Sequence, residues 1–460
     1  MHIPNIKGKK IIIVLIILMA IISCKKYLAV KPDSKLTTLT TLSDLQAILD
    51  FTSDMNLQTT PSFGSASTDD YFLLESSYNA LIASAQSIYT WNRTDYYFQN
   101  SWAKAYLAIY DANYCLDQIE KIPVTGQSKL KWNNVKGSAL FYRSYYFLGL
   151  LWDFAKAYDS SSSVSDPGIV LRLASDFNVP SKRASVKECY EKVLQDAKSS
   201  IGYLPDYPLN VLRPSRAAAY GLLSRAYLSM RIYDSAYKYS GMCLQLNHNL
   251  IDYNGDGDIN GSIDANIPFF RFNKETIFYT EMNTNDLINS ASRAKIDTVL
   301  YDSYDSNDLR KVAFFRPSAG YSRFKCIYSE STSQYFTGIA TDEIYLDRSE
   351  SAFRTGKISE ATDALNTLLG KRYKSGTYIP FTDLQGEEGL QIILKERRKE
   401  LLMRGLRWID IKRLNKEGGN IVLKREIEGQ SYSLQPNANY YALPLPADVI
   451  KASGIAQNER

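Results

Sequence analysis

Histidine is almost absent from this sequence. Only His2 and His248 occur among its 460 residues, which excludes histidine-dependent catalytic triads and most zinc sites. Cysteine is also sparse, and no two cysteines stand in a CxxC spacing, so the sequence predicts neither a disulfide framework nor a thiolate metal site. We expect four of the five cysteines to be buried as small apolar groups. These four are Cys115, Cys189, Cys243 and Cys326.

Blocks of like charge are missing as well. The net charge of +5 is small for a chain of this length, and no block of like charges is long, which argues against nucleic acid as a partner. Charged residues make up 22% of the chain and hydrophobic residues 45%, and both are ordinary values for a globular protein. The length is sufficient for two tightly joined lobes.

The longest apolar run is short. Residues 11–22 are all apolar and follow a lysine-rich start, a pattern typical of a signal peptide and too short for a membrane-spanning helix. The following Ser23 and Cys24 resemble the end of a bacterial lipobox. We therefore expect a lipoprotein signal peptide over residues 1–23, lipidation of Cys24, and a lipidated tether over residues 24–40. The alternative is an unmodified signal peptide with an incidental cysteine.

Helical periodicity appears in two regions that are distant in sequence. Apolar residues recur every three or four positions over residues 97–246 and 341–414, which predicts paired helices in both. The helix opening Tyr233-x-x-Ala236 recurs as Ile358-x-x-Ala361 and resembles a tetratricopeptide unit, in which each helix buries its apolar stripe on the next. The expected fold is mostly α, a tetratricopeptide-like stack of helical pairs.

Loop-rich segments with few short strands are expected on one side of this stack. They are residues 54–92, 247–340 and 371–389. The expected division of the chain is an N-terminal helical region over 41–246, a loop-rich insertion over 247–340 and a C-terminal region over 341–460.

An acidic loop after residue 251 has to be weighed as a calcium site. Its side-chain oxygens alternate along the chain, and Gly257 stands where such loops turn sharply. The twelfth position is Ile263, however, where a bidentate glutamate is needed. A plain turn is therefore favoured over a metal site, and no cofactor is required. The candidate calcium ligands are Asp252, Asn254, Asp256 and Asp258.

The stretch 390–414 carries charges along its apolar stripe, within a predicted helix. Arg397 and Arg404 lie on or beside that stripe, and Glu400 follows the first by three residues and precedes the second by four. Because an unpaired buried charge is costly, we expect these three residues to form a semi-buried ion network. Gly405 costs roughly 1 kcal/mol of helix propensity and predicts a break or a close packing contact.

The same stretch resembles the C-terminal signature of the RagB/SusD family of Bacteroidetes nutrient-uptake lipoproteins. The matching residues are Glu396-Arg397-Arg398, Glu400, Gly405, Arg407-Trp408, Asp410 and Arg413. Further matching motifs are Trp102-x(3)-Tyr106-x(4)-Asp111-Ala112-Asn113, Asn307-Asp308-Leu309-Arg310 and Leu443-Pro444-Leu445-Pro446. Each motif alone is weak, but their order and spacing together are specific.

This resemblance implies a lipoprotein of the outer membrane, facing the cell surface, without catalytic activity. It implies capture of an oligosaccharide, or sometimes a peptide, and delivery of it to a SusC-like TonB-dependent transporter. Lys25 and Lys26 follow the lipobox in place of the acidic cluster that accompanies surface export in some relatives. Ligand-contacting positions are not part of the family's shared motifs, so none is carried over by the resemblance.

Aromatic residues, in contrast, are abundant, at 12% with 34 tyrosines. Rings that stack on sugars, with neighbouring acids that accept hydrogen bonds from hydroxyls, suit a glycan site. Two segments offer this, residues 69–91 and 314–328, and we expect folding to bring them together. Trp91 is the strongest single candidate, and the alternative is that it packs its loop onto the stack as a core residue. The candidate ligand-binding residues are Asp70, Tyr71, Tyr89, Trp91, Tyr321 and Phe324.

Two other functions stay open at this point. A helical-repeat scaffold of the cell envelope would share the lipobox and the helical stack but would have no small-molecule site. A glycoside hydrolase would need two carboxylates roughly 5–9.5 Å apart across a cleft, and no sequence feature nominates such a pair.

Overall fold

The computed structural model describes residues 41–97, 101–283 and 288–459. The predicted signal peptide, Cys24 and the tether lie outside the described residues, so lipidation stays a prediction. Within the described ranges, none of the helices combines the length and the apolar character that crossing a membrane requires. The four cysteines expected to be buried are buried and unpaired.

Short helices and one short strand precede the long helices. They are α1 (Leu42–Leu49), α2 (Thr52–Met55), α3 (Phe63–Ala66), β1 (Tyr71–Phe72), α4 (Glu75–Asn79) and α5 (Ala83–Tyr89). The expectation of mostly loop over residues 54–92 is therefore wrong in part. No helix between α2 and α5 exceeds seven residues, which is too short to show a helical period in sequence.

The first half of the stack follows. Its elements are α6 (Ser101–Ile119), α7 (Lys129–Phe154), β2 (Pro167–Val170), β3 (Arg183–Ser185), α8 (Val186–Ile201), α9 (Arg216–Ser229) and α10 (Tyr233–Leu246). Each long helix packs on the next, α6 on α7 through to α9 on α10. Helix α8 starts with a capping box, in which the Ser185 hydroxyl accepts from the Glu188 amide and the Glu188 carboxylate accepts from the Ser185 amide.

The loop-rich insertion and the second half of the stack complete the chain. The insertion contains β4 (Thr276–Phe278), β5 (Lys295–Ile296), α11 (Thr298–Asp302), α12 (Arg310–Phe314), β6 (Phe315–Ser318), β7 (Tyr321–Phe324) and β8 (Ile339–Ala340). After it come α13 (Thr341–Arg354), α14 (Ile358–Leu369), α15 (Gly386–Glu400), α16 (Arg407–Asn415), β9 (Leu423–Ile427), β10 (Gln430–Leu434), a 3₁₀ turn (Asn439–Tyr441) and α17 (Ala447–Ser453). The strands form antiparallel pairs, β1–β5, β2–β3, β4–β8, β6–β7 and β9–β10.

The two halves of the stack join where α10 packs on α13, and α13 packs in turn on α14 and α15. Ala236 and Ala361, the small residues of the repeated helix openings, are both fully buried, which lets neighbouring helices approach closely. The predicted fold class, a mostly α stack of helical pairs, is confirmed.

Candidate functional site

The helix expected over residues 390–414 is two helices joined by a turn. Helix α15 ends at Glu400 and α16 begins at Arg407. Within the turn, Met403 and Gly405 have φ angles of 59° and 77°, a left-handed conformation that glycine adopts without strain. The predicted break at Gly405 is confirmed, and it turns the second half of the signature in a new direction.

The expected ion network exists, but its partners differ from the expected ones. Glu400 does not pair with the neighbouring arginines of its own helix. It accepts hydrogen bonds from Arg310 Nη1 at 2.9 Å and from Arg372 Nε at 2.7 Å. Burial alone would raise the pKa of Glu400, but the guanidiniums of Arg372 and Arg310 outweigh it and lower that pKa.

The two flanking arginines pair with acids from other elements. Arg397 donates to Asp347 on α13 at 2.7 Å and to Asp410 on α16 at 2.9 Å. Arg404 donates to Asp342 at the start of α13, at 2.7 Å. The spacing within one helix misled the prediction because α13 supplies carboxylates that are closer. All these groups are buried, so the network holds α13, α15 and α16 together and offers no anion site at the surface.

Three of the predicted ligand-binding rings surround a buried arginine instead of facing solvent. The Arg425 guanidinium lies 5.2, 4.4 and 5.1 Å from the ring centres of Tyr71, Tyr89 and Trp91. Trp91 Nε1 donates to the Ser67 carbonyl at 3.0 Å, and the residue is 7% exposed. The expectation that these rings form a sugar platform is therefore corrected: they pack the N-terminal loops onto β9 through cation–π contacts.

Asp70 is also buried, and it lies beside a partly exposed ion pair between Arg407 and Asp69. Arg407 donates two hydrogen bonds of 2.8 Å to the Asp69 carboxylate, while Arg398 Nε lies 3.4 Å from Asp70 Oδ1. Burial raises the pKa of Asp70 to about 6, with Arg398 partly offsetting the increase. Asp70 is thus placed to anchor its loop to α15 and not to meet a ligand from solvent.

Folding does bring the two predicted segments together. Strand β1 pairs with β5, and β5 packs on β7. As a result, the rings of Phe72 and Tyr321 meet edge to face, with centres 5.0 Å apart. Tyr321 is 41% exposed, whereas Phe324, at the other end of β7, is buried against Phe314 and Tyr335. Of the six candidates, Tyr321 alone presents a ring to solvent.

Tyr321 stands at the margin of a concavity of about 970 Å³, which we call the Tyr321 groove. Its apolar lining includes Tyr301, Phe315 and Pro317. Its polar lining is Asp264, Asn266, Thr298, Asp302, Lys311, Arg316, Ser318, Ser322 and Lys325. Apolar surface combined with several hydrogen-bonding groups, in a volume of this size, is typical of a small-molecule or oligosaccharide site.

The sequence interpretation missed most of the groove. Thr298, Lys311 and Arg316 carry no motif, and the groove forms only when α11 and α12 fold against the β6–β7 hairpin. The one available signal was the turn Pro317–Gly320 between two aromatic-rich segments, which indicates a hairpin. The left-handed Ala319 and Gly320, with φ of 52° and 81°, form its tip.

Comparison with known proteins gives a consistent result. Residues 26–228 match a SusD-like family described as starch-binding and associating with the outer membrane. A SusD-like protein, P2, of Formosa agariphila is 23% identical over 419 residues, covering 78% of this chain and 79% of the relative. A SusD superfamily protein of Bacteroides thetaiotaomicron has the same fold, with a TM-score of 0.74, 20% identity, and coverage of 91% of this chain and all of that one.

The chain thus resembles SusD-like proteins in the sequence of residues 26–228 and shares the fold of the SusD superfamily. A solved laminarin-binding SusD-like protein also shares the fold, with a TM-score of 0.64 at 18% identity over 90% of this chain and 97% of that one.

The acidic loop of this chain holds lysines where a metal cation would bind. Lys371 Nζ lies 2.9 Å from Asp252 Oδ2, and Lys274 Nζ lies 2.6 Å from Asp256 Oδ1 and 3.7 Å from Asp258 Oδ2. Asn254 donates to Asp252 Oδ1 from its side chain and its amide, at 3.0 and 3.1 Å. This is an Asx-type turn neutralised by ammonium groups, the arrangement favoured over a metal site. Among the residues that the structure describes, no cluster of three or more metal-ligating side chains occurs.

Two other concavities of the chain suit a glycan less well. An interior cavity of about 40 Å³ beside Arg225, Arg404 and Gly405 is too small for a sugar ring. A polar cleft of about 650 Å³ has Trp91 at its margin, but that ring is directed at Arg425. Of these three concavities, the Tyr321 groove is the candidate site, because it combines the largest volume with an exposed aromatic ring.

Proposed function

We propose that this protein is a non-catalytic, outer-membrane lipoprotein that captures an oligosaccharide in the Tyr321 groove. The observation that carries the proposal is the exposed Tyr321 ring at the margin of the groove, held by Phe72 and surrounded by side chains that hydrogen-bond to hydroxyls. A stiff ring on a hairpin, positioned by a helical scaffold, is the arrangement that sugar stacking requires. The similarity to a starch-binding family and to a laminarin-binding protein supports the same ligand class.

Delivery of the ligand to a SusC-like TonB-dependent transporter belongs to this proposal. So does anchoring through a lipid on Cys24, because the apolar run and Ser23 precede that cysteine. Membrane fractionation of a Cys24→Ala variant tests the anchor. The proposal expects the variant in the soluble periplasmic fraction or as an uncleaved precursor, and lipidated variant in the outer membrane would contradict it.

The binding test uses purified full-length protein and isothermal titration against a glycan panel that includes laminarin oligosaccharides. Tyr321→Ala is expected to weaken binding roughly tenfold, since an aromatic stacking contact contributes about 1 kcal/mol beyond its buried area, and to leave the melting temperature unchanged. Tyr207→Ala is the matched control, because Tyr207 is more exposed and lies outside the groove. Unchanged affinity of Tyr321→Ala for every bound glycan would overturn the assignment of the site.

A second readout addresses catalysis. Asp264 and Asp302 both line the groove, so the bound oligosaccharide should be analysed for new reducing ends after prolonged incubation. The proposal expects none. New reducing ends that form with the unmodified protein but not with Asp302→Asn or Asp264→Asn would show that the groove is a hydrolase site.

A further inference from the structure

The β6–β7 hairpin places two arginines side by side. Arg316 is directly opposite Arg323, and Ser318 is directly opposite Tyr321, in an antiparallel register. Because side chains alternate between the faces of a strand, all four lie on one face. Like charges directly opposite each other destabilise a strand pair. The hairpin therefore carries an unfavourable charge pair next to its exposed ring.

Three more cations surround this pair, and their hydrogen bonds are to uncharged oxygen atoms. Lys311 and Lys325, which line the groove, donate to backbone carbonyls, at 3.1 Å for Lys311 and at 2.7 Å twice for Lys325. Lys295 Nζ donates to Ser318 Oγ at 2.9 Å. Arg316 Nη1 donates to an amide oxygen, that of Asn266, at 3.3 Å.

The two guanidiniums are also incompletely satisfied. The buried Nε atoms of Arg316 and Arg323 have no hydrogen-bond partner in the described part of the chain. None of the five cations forms an ion pair with a carboxylate among those residues.

Several buried arginines elsewhere in the described chain are paired with acids. Buried Arg310 contacts three carboxylates at 2.5–2.9 Å, and Arg397 and Arg413 contact two each. Acids neutralise these three arginines, whereas buried Arg425 and Lys412 donate to backbone carbonyls. The cations at the groove also lack ion pairs, but Arg316, Lys311 and Lys325 line a concavity, where an anion from outside can reach them.

The pKa values of three of these cations, Lys325, Lys295 and Arg316, agree with this geometry. Burial, together with the charge of Arg316, lowers the pKa of Lys325 to about 8, although Asp264 acts in the opposite sense. Burial and Arg323 lower the pKa of both Lys295 and Arg316. The charged forms of Lys325, Lys295 and Arg316 are thus disfavoured by their surroundings, and a bound anion would relieve several of them at once.

We propose that the Tyr321 groove selects acidic oligosaccharides, whose carboxylate or sulfate groups are bound by Arg316, Lys311 and Lys325 while a sugar ring stacks on Tyr321. This inference rests on the proposed function and specifies its ligand class. Asp264 and Asp302 also line the groove and accept hydrogen bonds from sugar hydroxyls. The three cations that line the groove, Lys311, Arg316 and Lys325, outnumber these two acids, and Lys295 and Arg323 add positive charge nearby, so the groove attracts anions.

Matched pairs of glycans test the selection by isothermal titration at low salt. One pair is an oligogalacturonide and its methyl ester, and the other is a sulfated galactan oligosaccharide and its desulfated form. We expect at least one acidic member to bind roughly tenfold or more tightly than its neutral partner, because a hydrogen bond to a charged group contributes more than a neutral one. The acidic member that binds identifies the anion as carboxylate or sulfate. Equal affinity within both pairs, or binding of neutral glycans alone, would overturn the inference.

Substitutions of the cations test whether they cause the preference for acidic glycans. Arg316→Gln should reduce the preference for the acidic member about tenfold and leave the affinity for its neutral partner unchanged, while Arg316→Lys should restore most of the preference. Lys424→Gln, which removes an exposed charge from the β9–β10 hairpin, should change nothing. Because Arg316→Gln removes a repulsive pair, its melting temperature should not fall, so lost preference cannot be ascribed to misfolding. A preference retained in Arg316→Gln and in Lys311→Gln would overturn the inference.

The same titrations keep the two proposals apart. If Tyr321→Ala loses neutral and acidic glycans alike but no acidic preference exists, the groove is the binding site and only the inference fails. If Tyr321→Ala changes the affinity for no glycan, both the proposed function and the inference fail.

Discussion

The guanidinium of Arg425 lies 5.1 Å from the centre of the Trp91 ring. Arg425 also donates to the Tyr71 carbonyl at 3.0 Å and to the Thr68 carbonyl. Trp91 itself has a φ of 57°, a left-handed conformation that is rare for a bulky residue and persists where surrounding contacts enforce it. This relationship makes Trp91 a structural residue.

Trp91→Ala should therefore destabilise the fold without removing the ligand site. Truncating a buried tryptophan costs about 3–5 kcal/mol, and here it also exposes one side of a buried cation. Thermal melting followed by circular dichroism measures the loss, and titration at low temperature measures binding by the folded fraction. Trp91→Phe, which keeps a ring over Arg425, is the matched control and should lose less stability. A Trp91→Ala variant that melts normally but no longer binds glycan would show that Trp91 is a ligand-binding residue.

Glu400→Ala should have a comparable effect on stability. It leaves Arg310 and Arg372 buried without one of their carboxylates, and removing one partner from a buried ion pair costs roughly 3–5 kcal/mol. Chemical denaturation measures the change in the free energy of unfolding. Glu388→Ala, in the exposed first turn of the same helix, should change stability by less than about 1 kcal/mol. Equal stability of the two variants would show that the network does not hold the helices.

The helical stack could be predicted from the sequence because its signals are local. Apolar residues at a helical period and small residues such as Ala236 and Ala361 act over one or two turns, and the break at Gly405 is a property of one residue. The ion partners were not predictable in this way. Glu400 meets Arg310 across 90 residues of sequence, and no spacing rule within a helix indicates that contact.

The candidate site shows the same limit. Tyr71 and Trp91 look like surface rings among polar residues, and their burial depends on Arg425, which follows Tyr71 by 354 positions. Tyr321 does present its ring to solvent, as stacking on a sugar requires, and its contact with ligand stays a prediction. The lysines that neutralise the acidic loop, Lys274 and Lys371, also come from later parts of the chain, so the loop alone resembled a metal site more closely than the folded protein does.

Calcium should not stabilise the protein. Ammonium groups of Lys274 and Lys371 already lie at the carboxylates of the acidic loop, and a divalent cation would have to displace them. Melting temperatures after treatment with EDTA, and again in millimolar CaCl₂, are expected to be equal. A specific ion that binds the folded state raises stability with its concentration. A rise in melting temperature that Asp256→Asn removes would therefore establish a calcium site.

The stability of the protein should fall as pH rises from about 4 to about 7, in part through Asp111. This residue on α6 lies near Asp54 on α2, and neither carboxylate forms an ion pair among the described residues. Burial, followed by the charge of Asp54, raises the pKa of Asp111 to about 7. An aspartate in an unfolded chain has a pKa of about 3.9. The folded state therefore binds more protons between these two values, so its advantage is complete below about pH 4 and is lost as pH rises through about 7.

Asp111→Asn removes the titrating group and should raise the melting temperature at pH 8 more than at pH 5, which flattens the pH profile. Asp234→Asn, in the exposed first turn of α10, is the matched control and should leave the profile unchanged. Buried Glu275, whose pKa burial raises to about 7, contributes in the same direction, so some slope should persist in the Asp111 variant. A profile for Asp111→Asn that is parallel to that of the unmodified protein would show that this carboxylate is ionised in both states across the range.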